Sequence, residues 1–297
     1  MLSGTQRTKG QLLNIMTNLY KKSIIVKYLT TGLILTLCLT GCREKKLLKK
    51  EFFPADFVNP LMGTDSEYRL SHGNTYPAIA LPWGMNFWTP QTRPMGNGWA
   101  YAYDDNKIMG IKQTHQPSPW INDYAAFSLM AETGKLKIRE EERASWFSHK
   151  AELARPYYYS VYLADYDVVA EVTPTERAAI FRFTFPGNDS SFILIDGYNR
   201  GSMVRIIPEE RKVVGYCRNN RGGVPDNFHN YFVAEFNRDF TSVATWHGDT
   251  LEPGDLMQAG YHSGAVLHFK TSPEEKITVR VASRSEEHTS ELQSRQS

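Results

Sequence analysis

The feature that most constrains the fold is a series of short segments in which apolar residues alternate with polar ones. Eight such segments follow one another between residues 157 and 282, separated by turn-forming sequences such as PGND, RGGVPDN and EPGD. They are rich in Val, Ile, Tyr, Phe and Thr, which favour strands. Repeated strands at this spacing predict an all-β protein built as an antiparallel β-sandwich.

Residues 57–130 have a different character. Prolines, glycines and non-alternating aromatic residues are frequent there, which predicts long loops over the sandwich, where binding groups are commonly found. The charged stretch REEERASW, residues 139–146, is expected to be a solvated surface segment without a functional role. Trp83, between Pro82 and Gly84, is expected to pack in the core.

The N-terminal region has the pattern of an export signal. Residues 1–41 contain five basic side chains and no acidic one, and an apolar stretch at 28–39 is too short to be a good membrane span. We predict a signal peptide over residues 1–41, with Met16 as the start. The sequence LTGC, 39–42, resembles a bacterial lipobox, so Cys42 is expected to be lipidated. An uncleaved helix with an incidental cysteine is the alternative.

These features predict an exported lipoprotein, anchored to the bacterial cell envelope by its lipid. Outer-membrane attachment fits, and periplasmic and surface display both stay open. Residues 42–55 would form a tether. The remaining chain is close to neutral in charge, which argues against nucleic-acid binding, because that requires clustered Lys and Arg. Once residues 1–42 are set aside, Cys217 is the one remaining cysteine, so no internal disulfide is expected.

The C-terminal region changes abruptly. Residues 276–283, KITVRVAS, alternate like a strand, and residues 284–297, RSEEHTSELQSRQS, are polar apart from Leu292. Back-translation of residues 284–294 gives a sequencing-library adapter read in frame. We therefore interpret 284–297 as an artefact and expect a disordered tail. A natural polar, frayed C-terminus is the alternative.

Several multi-residue motifs occur in order within the loop-rich region. They are NP at 59–60, GT at 63–64, HGNTYP at 72–77, LPWGM at 81–85, NGWAYAY at 97–103 and THQPSPWINDY at 114–124. In this order they resemble the N-terminal domain of glycoside hydrolase family 92, the calcium-dependent exo-acting α-mannosidases. Looser matches at 176–186 and 215–240 extend the resemblance, so this domain is expected over residues 56–283.

The resemblance implies a galactose-mutarotase-like supersandwich that pairs with a C-terminal (α/α)-barrel domain, with the sugar pocket between them. It implies hydrolysis of mannose-rich glycans with inversion. In the family, the general acid, the general base and the calcium ligands come mainly from the second domain, which this chain lacks. We therefore expect no catalytic and no metal-binding residues here. The fragment is expected to supply one wall of the pocket and to be inactive alone.

By motif position, the resemblance assigns Trp88 and Trp99 to the wall of the sugar pocket. His72, His115, Trp120 and Asp123 are further candidates for substrate binding. Each of the six also has a structural interpretation, because tryptophans beside prolines often pack in loop cores and histidines are often hydrogen-bonded structural groups. These alternatives stay open at this stage.

Two rival functions are carried beside the enzyme fragment. The first is a stand-alone carbohydrate-binding lipoprotein module, in which aromatic side chains stack on a sugar without chemistry. The second is a structural surface lipoprotein. An active site within the fragment is not expected, because the carboxylates of the loop region have no spacing that fixes two of them across a glycosidic bond. These carboxylates are Asp65, Glu67, Asp104, Asp105 and Asp123.

Overall fold

The computed structural model of the chain describes residues 53–67, 69–70, 75–95, 100–115, 125–220, 224–225 and 227–287. The predicted signal peptide, Cys42 and most of the tether lie outside the described residues. Within the described ranges, no helix is long and apolar enough to cross a membrane.

The described residues form eighteen strands. They are β1 (Phe87–Gln91), β2 (Lys107–Ile108), β3 (Gly110–Thr114), β4 (Ser128–Thr133), β5 (Ser145–Trp146), β6 (Glu152–Arg155), β7 (Tyr158–Leu163), β8 (Val168–Pro174), β9 (Ala178–Phe185), β10 (Asn188–Asp196), β11 (Ser202–Ile207), β12 (Lys212–Cys217), β13 (Phe228–Phe236), β14 (Ser242–His247), β15 (Thr250–Pro253), β16 (Met257–Gly260), β17 (Ser263–Thr271) and β18 (Glu275–Glu287). Short helical turns lie at Pro54–Phe57, Glu140–Arg143, His149–Ala151 and Pro208–Glu210.

The strands form two large sheets and one small one. The seven-stranded sheet has the order β1-β3-β4-β10-β17-β14-β15, and the nine-stranded sheet has the order β16-β11-β12-β13-β18-β9-β8-β7-β6. Strands β2 and β5 form a separate pair. Every pairing between these strands is antiparallel. The prediction of an all-β antiparallel protein is confirmed.

The core follows from the alternation in the sequence. In β9, Phe181, Phe183 and Phe185 are buried and the residues between them are not. Phe127, just before β4, stacks on Phe232 of β13 with ring centroids 4.4 Å apart, so the aromatic core joins the two large sheets. Each large apolar side chain buried in this way contributes about 1.5–3 kcal/mol.

Strands β4 and β10 differ from β9 because consecutive residues in each are buried. Their second face is covered by the connection that leads from β4 to β7. Here Arg143 is fully buried, donates from Nε to the Met109 carbonyl at 3.0 Å and lies 2.8 Å from Asp196 of β10. The expectation that residues 139–146 form a solvated segment is therefore wrong for Arg143, although Glu141 and Glu142 are exposed.

Strand β18 continues past the predicted boundary at Ser283. Residues 284–287 pair with Phe228–Tyr231 of β13, so this part of the expected disordered tail lies in a strand. Strand pairing uses main-chain groups that every residue but proline carries, so a polar sequence can extend an existing edge. Residues 288–297 lie outside the described residues.

Candidate functional site

The structure describes two of the six predicted sugar-contacting residues, Trp88 and His115. His72, Trp99, Trp120 and Asp123 lie outside the described residues, although the chain on one or both sides of each is described. What the structure shows of the site is therefore the position of the described residues on either side of these loop segments.

Trp88 lies in the core. Its side chain is fully buried, and its ring makes edge-on contacts with Phe127 at 5.7 Å and Phe181 at 4.9 Å between centroids. Its backbone is bridged to Ile79 by hydrogen bonds of 2.8 and 3.0 Å. In this conformation the ring has no face available to a sugar, and packing between the sheets accounts for its position.

Trp83 shows the opposite behaviour, and the expectation that it packs in the core is wrong. Its side chain is 98% exposed, and its backbone has φ +62°. The tight turn is closed by Gly84, which donates to the Leu81 carbonyl at 2.9 Å and in which a Cβ would come within 3.0 Å of that oxygen. A bulky residue in left-handed conformation costs about 1–2 kcal/mol, so local stability does not explain this tryptophan.

His115 follows the last residue of β3, and two of the motif segments meet beside it. The Tyr76 hydroxyl lies 2.8 Å from Thr114 Oγ1, so the segment that contains His72 reaches the sandwich next to the start of segment 115–124. Ser285 Oγ lies 3.5 Å from His115 Nε2. The structure therefore places Tyr76, a described residue that follows the segment with His72, next to Thr114, which precedes the segment with His115, Trp120 and Asp123.

The segment that carries Trp99 is held elsewhere. In the β1–β3 register, Phe87 lies opposite Thr114, whereas segment 92–100 starts after Gln91, at the other end of β1. Four strand steps correspond to about 14 Å. The base of this segment is closed by a hydrogen bond from Thr92 N to Ala100 O, 2.8 Å long.

Two acidic side chains anchor the 92–105 segment. Asp105 accepts from Arg93 Nε at 2.8 Å and from the Thr92 hydroxyl at 2.7 Å. Glu140 Oε1 accepts from Met95 N at 2.9 Å. These carboxylates are committed to positioning the chain.

Glu140 belongs to a buried charged layer on the outer face of the seven-stranded sheet. Asp196 lies 2.8 Å from Arg143 and 2.7 Å from His262 Nε2. Burial disfavours ionisation of Asp196, but Arg143 and His262 lower its pKa to about 2. Burial alone would lower the pKa of His262, yet the Asp196 carboxylate raises it above the ordinary value. Burial and Asp196 both raise the pKa of Glu140.

Further carboxylates in this half of the molecule are also engaged. Glu152, fully buried, accepts from the Tyr159 hydroxyl at 2.6 Å and lies 2.6 Å from His149 Nδ1. On the same face as the charged layer, burial raises the pKa of Glu132 to about 8. Among the residues that the structure describes, no three His, Cys, Asp or Glu side chains are grouped so as to hold a metal ion.

Sequence reasoning missed a set of buried amides at the base of segment 115–124. Asn219 and Asn230 are almost completely buried and hydrogen-bond to Ala125 and Ala126, where the segment re-enters the sandwich. The available signal was their position within 215–240, one of the looser motif matches, but asparagine in a strand-and-turn region gave no indication of burial.

An apolar surface covers one part of the molecule. Arg155 Nη1 donates to the Asp56 carbonyl and Ala80 N donates to the Pro156 carbonyl, each at 2.8 Å, so the N-terminal described segment and the loop before β1 adjoin the β6–β7 turn. The exposed large apolar side chains of these segments and of the adjoining β6 are Phe53, Phe57, Val58, Met62, Trp83, Met85, Leu153 and Tyr157. A patch of this kind is typical of an interaction surface.

Comparison with known proteins identifies the class. Residues 57–283 match the description "Glycosyl hydrolase family 92 N-terminal domain". The chain belongs to this family, as its motifs predicted.

Solved structures of the family share the fold. A family GH92 inverting mannosidase, BT2199 from Bacteroides thetaiotaomicron, is 48% identical with a TM-score of 0.74, and the match covers 77% of this chain and 31% of that one. The α-mannosidase BT3965 from the same organism, solved with mannoimidazole, is 31% identical with a TM-score of 0.67, over 77% of this chain and 32% of that one. This chain therefore spans about a third of the length of these relatives.

A relative with lower sequence identity matches a shorter part of the chain. An uncharacterized secreted glycosidase of Arthroderma benhamiae is 25% identical over 141 residues, which are 45% of this chain and 18% of that protein.

Proposed function

We propose that this chain is the sandwich part of an exported α-mannosidase that hydrolyses mannose-rich glycans with inversion of configuration. The observation that carries the proposal is the 48% identity to a GH92 inverting mannosidase across 77% of this chain. Because the chain covers only 31% of that protein, the activity is proposed for a longer protein. The chain itself would form one wall of the sugar pocket and be inactive alone.

The positions of the carboxylates support inactivity of the fragment. An inverting glycosidase needs an acid and a base whose carboxyl groups are roughly 6.5–9.5 Å apart, with room for a water molecule. In the described part of the loop region, Asp105 is paired with Arg93 and Glu67 with Arg69. Glu152 is surrounded by hydroxyl groups and His149. We place the acid and base in the remainder of the longer protein.

The same reasoning applies to calcium, which the family resemblance implies. Calcium takes six to eight oxygen ligands. Among the described residues, no three His, Cys, Asp or Glu side chains lie close enough together to hold a metal ion. We therefore propose that its ligands are supplied by the remainder of the protein, and no step of the reaction is assigned to it here.

The apolar surface, which includes Phe53, Trp83 and Met85, supports a second domain. Its aromatic and thioether side chains are exposed, and Trp83 is held out by a strained turn. We propose that the C-terminal domain covers this surface and completes the pocket. The N-terminal pattern supports export, and Cys42 would be the lipid-carrying residue that anchors the protein to the envelope.

The test uses the longer protein that carries this domain. Incubated with an α-mannoside, it is expected to release mannose, and NMR taken early in the reaction should show the β-anomer first, as inversion requires. Appearance of the α-anomer first would contradict the mechanism. Retention on immobilised mannan without release of mannose would favour the carbohydrate-binding module instead.

A further inference from the structure

Segment 115–124 begins and ends at points that a single side chain connects. Asn230 Nδ2 donates to Gln113 Oε1 at 2.7 Å, just before the segment, and to the Ala125 carbonyl at 2.8 Å, just after it. Gln113 in turn donates from Nε2 to Ser283 Oγ at 2.5 Å. Asn230 and Gln113 are fully buried. One amide group therefore bridges both ends of the segment.

A second asparagine, Asn219, contacts only the C-terminal end of the segment. Asn219 Oδ1 accepts from Ala126 N at 2.7 Å, and its Nδ2 donates to the Ala126 carbonyl at 2.7 Å and to the Gly197 carbonyl at 3.2 Å. The main-chain carbonyl of Asn219 accepts from Ala125 N at 2.5 Å. The backbone of Ala126 thus pairs with a side-chain amide in the way that it would pair with the backbone of a neighbouring strand.

The backbone at this point is strained. Ala125 has φ +49°, in the left-handed region that L-residues with a Cβ seldom adopt. Such a conformation persists only where the surroundings impose it, and it is found preferentially at functional sites. Here the hydrogen bonds that Asn219 and Asn230 make to Ala125 and Ala126 hold Ala125 in this conformation.

From this geometry we propose that Asn230 and Asn219 are positioning residues, which hold the chain at Gln113 and at Ala125–Ala126 and so fix both described ends of the segment predicted to contact the sugar. The proposal rests on the proposed function and adds these two residues to it. Both asparagines act as donors, and the acceptors they face are oxygen atoms that cannot donate. A carboxylate of the same shape would repel those oxygens.

The experiment compares Asn230→Asp and Asn219→Asp with the control Asn237→Asp. Asn237 lies just after the opposite end of β13, is exposed, and makes its hydrogen bonds to Thr278 and Lys276. In the longer protein, the two buried variants should lower kcat/KM for a mannoside about 10- to 100-fold, since small misplacement has effects of this size. The control should match the unmodified protein.

A pH profile separates positioning from general loss of stability. A protonated aspartic acid can donate one hydrogen bond, so the deficit of Asn230→Asp should shrink as the pH falls, relative to the unmodified protein at each pH. A deficit that is constant with pH, or equal in Asn237→Asp, would overturn the proposal.

Hydrogen exchange on this chain gives a readout that does not depend on activity. Exchange at the Ala125 and Ala126 amides should accelerate in both buried variants and stay unchanged in the control. If the longer protein proves inactive on mannosides while exchange still accelerates, the proposed function fails and the anchoring stands. Unchanged exchange would refute the anchoring itself. If Asn230→Asp does not fold, Gln113→Leu can replace it, because that change removes the acceptor of the hydrogen bond from Asn230 to Gln113.

Discussion

Two buried polar regions hold loop segments of this molecule, and they use different chemistry. The layer on the outer face of the seven-stranded sheet is charged, with Asp196, Arg143 and Glu140 at its centre. The base of segment 115–124 is held by the neutral amides of Asn219 and Asn230. Buried charges are strongly coupled to one another and to pH, whereas buried amides are not. The first region should therefore respond to charge removal and pH, and the second only to loss of hydrogen bonds.

The largest expected effect comes from breaking the buried ion pair. Asp196→Ala leaves Arg143 charged, fully buried and without its carboxylate, which should cost about 3–5 kcal/mol in the free energy of unfolding. Asn230→Ala, the matched change in the amide region, should cost about 1–3 kcal/mol through unpaired buried groups. Denaturant unfolding of both variants measures the difference. Equal losses would contradict the distinction between the regions.

Replacing Glu132 is expected to increase the free energy of unfolding, by less than the loss of Asp196 decreases it. Burial raises the pKa of this carboxyl from 4.5 to about 8, so the folded state favours its protonated form. Below about pH 4.5 the Glu132 carboxyl is protonated in both states and does not destabilise the fold. The destabilisation grows as the pH rises and levels off above the pKa of the folded state. Glu132→Gln should therefore stabilise the protein by about 2–4 kcal/mol near pH 8 and by much less near pH 4.

Unfolding curves at the two pH values test this, with the exposed Glu141→Gln as the control. A gain that does not change with pH would show that folding does not raise the pKa of Glu132.

The smallest effect on stability is expected at Trp83. Its side chain is 98% exposed, so Trp83→Ser should change the free energy of unfolding by about 0.5 kcal/mol or less. The same change at the buried Trp88 should cost about 3–5 kcal/mol. An exposed apolar surface favours association, so we expect this chain alone to self-associate. Replacing Trp83, which belongs to that surface, should reduce the association measured by sedimentation. Unchanged association would remove Trp83 from the proposed interface.

The sequence predicted the strands and the family well, because alternation and ordered motifs are local signals. Phe181, Phe183 and Phe185 could be assigned to the core from period-two spacing alone. Arg143 could not, because its buried partner Asp196 is distant in the chain and nothing in REEERASW indicates a carboxylate beneath it.

The candidate site was less accessible to sequence reasoning. The sequence analysis assigned Trp88 to the wall of the sugar pocket and Trp83 to the core. Composition does not show that Trp88 of β1 packs against Phe181, or that a left-handed turn directs Trp83 to the surface. Asn219 and Asn230 went unnoticed because asparagine is common in exposed turns, and only the tertiary fold brings them against Ala125 and Ala126.

The central claim is that this chain forms one wall of a sugar pocket and holds no catalytic pair of its own. The most direct test compares, at equal molar concentration, mannose release by the purified chain and by the longer protein that contains it. The account predicts release by the longer protein and none by the chain. Mannose release by the chain alone, proportional to its concentration and retained through repeated purification, would contradict it.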